Sequence, residues 1–179
     1  MALGSAALAP QDQHMVRDDI RVRRVASGDA AGLERFYAEL SADSRVSRFH
    51  GASRGISHAQ AEVFAAADHR RRDGFVAVAG GRIVGHIVLE PMAQGIEELA
   101  VAVDDRVQHH GVGTLLLAAA VASARLRGVG RLVAWVRGES GAMRHLLAAS
   151  HHRLRLGWEG SVARYELEVP PVMPRRAAA

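Results

Sequence analysis

The stretch Val101-Ala-Val-Asp-Asp-Arg-Val-Gln108-His109-His110-Gly111-Val112-Gly113-Thr114 reads as the end of a strand, a loop and the start of a helix. The first turn of a helix has backbone N–H groups without intrahelical partners and the positive end of the dipole behind them, so it attracts anions. Glycines at 111 and 113 let an anion reach the backbone, and Thr114 adds a hydroxyl donor. A lone Gly-x-Gly also fits a tight turn with no ligand. Two other phosphate signatures do not fit: no Gly-Lys-Ser/Thr follows, and the third glycine of a dinucleotide fingerprint is missing.

Just upstream stand two carboxylates, Glu97 and Glu98, at the start of the same strand. Side chains alternate along a strand, so the two point to opposite faces. Glu97 shares its face with Leu99, Val101 and Val103, which call for a core. Glu98 shares its face with Ala100 and Ala102, whose small side chains leave room for a substrate. The plainer alternative is that both are solubilising charges at a strand edge; a catalytic Glu98 is the favoured reading. Of the ten histidines, His109 and His110 lie in the loop, and His86 sits on a strand as a second base or a packed residue. His69, His151 and His152 have no metal-ligand spacing with a carboxylate, so no metal is expected.

Around this segment the chain alternates strand and helix signals. Residues 20–25 form a short alternating strand. Asp29 can cap a helix with Leu33, Phe36, Tyr37 and Leu40 on one face. Ser57-His-Ala-Gln60 has the capping-box form and opens a second helix carrying Val63 and Phe64. Strands at 75–79 and 82–90 flank Gly80-Gly81, a two-residue hairpin turn, and 96–103 is another strand. The longest helix, 111–127, has Val112, Leu115, Leu116, Ala119 and Leu126 on its apolar side, and Gly128 closes it. A strand at 132–136, a helix at 140–149 and a strand at 164–169 complete the pattern; 150–163 has no clear assignment. The order β-α-α-β-β-β-α-β-α-β fits one mixed sheet with helices on both faces.

The 179 residues and 49% hydrophobic content suit one domain over 19–169, with a flexible leader at 1–18 and a tail at 170–179. Pro170 and Pro171 stop the last strand. No apolar run approaches the ~20 residues of a membrane span, and the N-terminus lacks a basic region before a hydrophobic one. A cytoplasmic protein is expected. The lack of cysteine excludes disulfides, thiol catalysis and Cys-ligated zinc. All 23 basic residues are arginine, which lifts the pI to 10.8, yet net charge is only +4. With eight aromatics and no dense basic stripe, nucleic-acid binding is not expected. The mild positive charge does suit an anionic cofactor.

Gln108-x-x-Gly111-x-Gly113, five residues after a strand and opening a long helix, resembles motif A of the GNAT acetyltransferases. The resemblance implies an α/β (α+β) fold built on one mixed, mostly antiparallel sheet of six to seven strands flanked by helices. It also implies acetyl-CoA as cosubstrate, with its pyrophosphate on Gln108, His109, His110, Gly111, Val112, Gly113 and Thr114. Its pantetheine arm would lie along Val101, Ala102 and Val103. A narrower resemblance covers 20–169. Val22-Arg-Arg-Val, Asp29-Ala-Ala-Gly-Leu-Glu-Arg-Phe-Tyr, Asp68-His69 and Glu98-Leu-Ala-Val-Ala-Val are similar to the GNAT domain of bacterial Pat-type protein-lysine acetyltransferases. The regulatory or synthetase domains that often accompany that domain have no room in this chain.

Acetyl transfer to an amine needs a neutral nitrogen, and a lysine-type amine with pKa ~10.4 is mostly charged at neutral pH. A positioned base is therefore required. Pat-type enzymes place a catalytic Glu ten residues before the motif-A Gln, which is Glu98; other branches use eleven, which is Glu97. Family members often carry Asn after the next strand where this chain offers Ser140, the expected cofactor contact. They often end the next helix with Tyr or Phe, where this chain reads Leu147-Ala-Ala-Ser-His151-His152. The expected acceptor is a protein lysine, such as one on an acyl-CoA synthetase. A small-molecule amine and a catalytically weak acyl-CoA-binding regulatory module are the alternatives. Segments 41–56 and 90–96 and the C-terminal strands should build the acceptor side. They contain few carboxylates for a polyamine, while Arg45, Arg48 and Arg54 could meet acidic surface around a target lysine.

Overall fold

The computed structural model describes residues 19–49, 55–137 and 141–172. In chain order the elements are β1 (Arg21–Arg24), α1 (Ala30–Glu39), α2 (Ala42–Phe49), α3 (His58–Ala65), β2 (Asp73–Ala79), β3 (Arg82–Ala93) and β4 (Ile96–Val103). They continue with α4 (Val112–Leu126), β5 (Arg131–Arg137), α5 (Gly141–Ala148), β6 (Leu154–Glu159) and β7 (Val162–Glu168). The strands form one seven-stranded sheet in the order β1-β2-β3-β4-β5-β7-β6. Every neighbouring pair is antiparallel except β4–β5. The mixed, mostly antiparallel α/β sheet expected from the sequence is the one observed.

Each face of the sheet has its own core. On one face, Val112, Leu116, Leu117, Ala120 and Ala124 of α4 and Leu147 of α5 pack on Leu89, Leu99, Leu132 and Leu167. On the other, Leu33, Phe36, Tyr37 and Leu40 from α1 and Ala61 and Ala65 from α3 pack on Val25, Val76 and Ala102. Adjacent residues of β4 therefore serve opposite cores, as their alternation requires.

Local signals explain most elements. Ser57 Oγ accepts from Gln60 N (3.2 Å) and Gln60 Oε1 accepts from Ser57 N (2.9 Å), so the capping box opens α3. Gly80 and Gly81, at φ 55° and 75°, form the expected hairpin turn. Gly128 ends α4, where Val129 N donates to Ala124 O (2.9 Å).

Other expectations need correction. The Asp29 carboxylate turns backward to Ala26 N (2.8 Å) and Arg23 (2.7 Å) and does not cap α1. Leu115 and Leu126, expected in the core, are 44% and 78% exposed; the buried stripe of α4 runs through 112, 116, 120 and 124 instead. Val63 is exposed, and Ala61 and Ala65 take its place against the sheet. Residues 42–49, given no element in the sequence reading, form α2, and the unassigned 150–163 contains β6. The expected leader 1–18 lies outside the described residues, as does the tail beyond Val172. No described helix is long and apolar enough to cross a membrane.

Candidate active site

The two parallel strands β4 and β5 pair at only three positions, Ile96–Arg131, Glu97–Leu132 and Glu98–Val133. Beyond that rung β5 stays bound to β7 as far as Arg137–Val162, and β4 stays bound to β3 as far as Val103–Gly85. The sheet splits into a wedge. Along one side of it, residues 99–103 present a strand edge with no partner strand among the described residues. Glu98 is the last paired residue at the apex. Val101, Ala102 and Val103, expected to meet the pantetheine arm, all lie on the open part. A crevice at the carboxyl ends of parallel strands is where α/β sheets bind ligands.

At the mouth of the wedge, the chain leaves β4 and makes a short 3₁₀ turn at Asp105–Val107 before starting α4. Gly111 precedes the helix at φ 83°, in the left-handed region that glycine adopts at little cost. The first intrahelical bond runs from Leu115 N to Gly111 O (3.0 Å), and no side chain caps the helix. The amides of Val112, Gly113 and Thr114 thus end a fifteen-residue helix without helical partners. A Cβ on Gly113 would lie 3.4 Å from Leu146 and 3.8 Å from Val103, against the wedge wall. Glycine keeps that approach open. Val112 contributes only its backbone, since its side chain is buried in the core. His109, at φ 64°, His110 and Thr114 are exposed around the helix start.

The Gln108 side chain is engaged within the loop. Its Nε2 donates to Val103 O (3.2 Å), Ser44 Oγ (3.3 Å) and Asp105 Oδ1 (3.3 Å). Asp105 in turn accepts from Ser41 N (2.9 Å), Ser41 Oγ (2.8 Å) and Ser44 Oγ (2.7 Å). Burial pushes the Asp105 carboxyl up, but these donors outweigh it and hold it below the usual carboxylate range. The network ties the start of α2 to the loop, a role for Ser41, Ser44 and Asp105 that the sequence did not reveal.

The neighbouring carboxylates have separate fates. Glu97 is buried and forms a two-pronged ion pair with Arg127, through Nη1 to Oε1 and through Nη2 to Oε2 (2.8 Å). Arg127 caps the C-terminal end of α4, where a cation also suits the dipole. Behind it lies fully buried Asp73, bonded to Ser123 Oγ, to His69 Nδ1 (2.7 Å) and to its neighbour Gly74 N (2.9 Å). Burial raises the Asp73 carboxyl, and these donors with Arg127 bring it below its ordinary value. Glu97 is thus a structural counter-ion. Glu98 is half-buried on the opposite face, with no such partner among the described residues.

Glu98 has a carboxylate neighbour instead. Glu90 is directly opposite it across β3–β4, a placement that brings Cβ atoms to about 5 Å. Glu90 accepts from Arg72 Nε (2.7 Å), and one position beyond Val133, on β7, stands Glu166. Arg72, Glu90, Glu98 and Glu166 form a row across one sheet face. Two of these carboxylates are neutralised in place, Glu90 by Arg72 and Glu166 by Arg131 (3.1 Å) and Arg164, which leaves Glu98 the one without an ion-pair partner among the described residues. The acceptor-side arginines differ from expectation too. The Arg48 guanidinium stacks on Phe49 (5.1 Å), Phe64 (5.8 Å) and Tyr37 (6.0 Å), and Arg45 donates to Leu40 O and Ala38 O. Both arginines thus already make contacts within their own chain. Arg54 and Ser140 lie outside the described residues.

His86 is fully buried, with Nδ1 3.0 Å from Tyr37 Oη, and faces Ala102 across β3–β4. Burial, then the charge of Arg48, push its pKa down to about 3. It is a packed neutral residue and no base at the wedge apex. Among the described residues no three His, Asp or Glu side chains converge as a metal site. Two cavities, of about 190 and 180 Å³, lie elsewhere: one between α1 and the β2–β3 hairpin, the other beside Arg70, Arg71 and Arg127.

Residues 33–151 match the acetyltransferase (GNAT) family. The fold superimposes on the GNAT domain of S. lividans PAT with a TM-score of 0.79 and 27% identity, covering 87% of this chain and 94% of that one. A GNAT-superfamily phosphinothricin acetyltransferase from Sinorhizobium meliloti in complex with AcCoA gives 0.69 at 17% identity, over 84% and 89%. A cAMP-binding acyltransferase from Mycobacterium smegmatis gives 0.58 at 23% identity, over 86% of this chain and 44% of that one. A search of curated proteins gives no match. With the split strands, the glycine-opened helix at their mouth and a family match to residues 33–151, well over half of its length, this chain belongs to the GNAT acetyltransferase family.

Proposed function

We propose that this protein is a cytoplasmic N-acetyltransferase that moves an acetyl group from acetyl-CoA to a lysine side chain of another protein, with Glu98 as general base. The observation that carries the reading is the position of Glu98 on the last β4–β5 rung, at the apex of a wedge whose mouth is the start of α4. The amides of Gly111, Val112, Gly113 and Thr114 hold the pyrophosphate, and the unpaired edge of Val101–Val103 bonds the pantetheine amides. His109, His110 and Thr114 border that anion, and Ser140 is the expected further contact. Gln108 acts indirectly, by bracing the loop.

Acetyl-CoA supplies an activated thioester; the chain supplies alignment and proton removal. Glu98 takes a proton from the acceptor ammonium, directly or through a water, and the freed nitrogen attacks the acetyl carbonyl. An N–H on the open β4 edge receives the developing oxyanion. The C–N bond forms, the C–S bond breaks, CoA leaves as the thiolate, and the surplus proton on the acylated nitrogen passes to that thiolate or to water. No acyl-enzyme is needed, which fits a chain without cysteine. Glu90 stands where it can hold the incoming ammonium while Glu98 deprotonates it.

Support for a protein acceptor comes from the sequence resemblance to Pat-type enzymes and the 27% identity to the S. lividans domain. One observation favours a second reading, a small cationic amine: half-buried Glu98, without an ion-pair partner among the described residues, lies directly opposite a second carboxylate, Glu90. The test incubates the protein with labelled acetyl-CoA and either a purified acyl-CoA synthetase or a panel of small amines. Because this chain has no lysine, label on a lysine can only be on the acceptor. Labelled synthetase is the expected result; efficient labelling of a small amine with no protein labelled would overturn the protein-acceptor reading.

A further inference from the structure

Strand β6 closes one side of the sheet, and its outer edge has no partner strand among the described residues. It also carries the two bulkiest exposed apolar residues on that side, Trp158 at 65% and Leu156 at 55%. Natural proteins usually blunt such an edge with charge, proline or a covering element. Here the sequence from Leu154 to Glu159 has one positive residue near its start, one negative at its end, and Gly157 between the two apolar residues.

We infer that β6 pairs with β6 of a second copy of this chain, antiparallel and about a two-fold axis through Gly157. The hydrogen-bonding pattern permits this register. Glu159 and Val162 close the two-residue turn to β7, and Glu168 N donates to Arg153 O (3.0 Å). Odd-numbered residues of β6 thus bond inward to β7, so Leu154, Leu156 and Trp158 turn their N–H and C=O groups outward. With the axis at Gly157, Leu156 of one copy meets Trp158 of the other in a hydrogen-bonded pair, twice. Arg155 meets Glu159 in the intervening closer pairs, also twice, and Gly157 meets itself where side chains would crowd. Both side-chain pairs are favourable cross-strand combinations. Glu159 has no ion-pair partner within its own chain among the described residues, and Arg155 has only a 3.4 Å contact with Glu168. Shifting the register by two residues would put Arg155 opposite Gly157 and remove the charge match within the strand. The isologous contact needs no other surface to close.

A six-residue edge is small beside stable interfaces, so association in the micromolar range is expected. Sedimentation equilibrium of the full chain from about 1 to 300 µM should show a reversible monomer–dimer equilibrium. Trp158→Lys should give monomer throughout. Arg155→Glu and Glu159→Arg should each weaken the dimer at least tenfold by placing like charges opposite each other, and the double variant should restore it. Thermal melts of each variant verify folding. Monomer at all concentrations in the unsubstituted protein would overturn the inference, as would a double variant no better than the singles. A docking site for another protein would leave the unsubstituted chain monomeric. The readout is mass, so the result does not depend on whether the chain transfers acetyl groups.

Discussion

His86 should make the protein lose stability between pH 7 and 5, before most carboxylates titrate. The ring is enclosed by Tyr37, Phe64 and Gly74, with Arg48 and Asp29 the charges that act on it. Burial and Arg48 lower its pKa from 6.5 to about 3, and Asp29 opposes them weakly. The unfolded chain therefore binds a proton near pH 6.5 that the folded chain refuses. The stabilising contribution is complete above that pH and falls as pH drops toward the folded value. Integrating the linkage between pH 7 and 5 gives a loss of about 2 kcal/mol from this ring alone. Urea unfolding at both pH values, followed by tryptophan fluorescence, measures it. The variant Tyr37→Phe/His86→Leu removes both polar partners together, so neither is left orphaned. It should lose about 2 kcal/mol less than the unsubstituted protein over the same interval. Equal losses in the two proteins would refute the reasoning, as would an NMR titration showing His86 protonated at pH 5.

Acetyl-CoA at ~100 times Kd should add ~2.7 kcal/mol and raise Tm by about 5–10 °C; Gly113→Asp, which drives a carboxylate against Leu146, Val103 and the pyrophosphate, should abolish the shift in a thermal melt. Glu97→Gln should leave turnover and acetyl-CoA affinity nearly unchanged but cost about 3 kcal/mol in denaturant unfolding, because it strips Arg127 of its counter-ion. Glu90→Gln should raise KM for the amine about tenfold with kcat little altered, read from initial rates; an unchanged KM would remove Glu90 from acceptor binding.

The motif loop and the faces of β4 were legible because each depends on local rules. Glycine spacing marked the helix start, and strict alternation separated Glu97 from Glu98. The row Arg72–Glu90–Glu98 was hidden by two irregularities of register. One bulge between Ala77 and Val78 shifts β2 against β3, and another between Pro91 and Ala93 shifts β3 against β4. Counting back from either turn without them places Glu90 opposite other residues. Strand β6 escaped notice although Leu154, Leu156 and Trp158 alternate, because half the pattern is exposed at a sheet edge and interrupted by Gly157. Helix α2 has no buried residue of its own. Besides Phe49 and Arg48 packing on Tyr37, Ser41 and Ser44 tie it to Asp105, a contact across sixty-odd residues that no local pattern announces. The contacts of Arg48 were hidden for the opposite reason: charge in a sequence suggests surface, while its guanidinium stacks on Phe49, Phe64 and Tyr37.

The central claim is that Glu98, at the apex of the wedge, removes the acceptor's proton during acetyl transfer. Steady-state rates with acetyl-CoA and a lysine-bearing acceptor across pH 6–9, for the unsubstituted protein and Glu98→Gln, test it most directly, with acetyl-CoA affinity measured in parallel by calorimetry. The expected result is a fall in kcat of roughly 10²-fold or more with affinity unchanged, and a rate that rises with pH in the unsubstituted protein. An unimpaired Glu98→Gln enzyme that still binds acetyl-CoA would contradict the account.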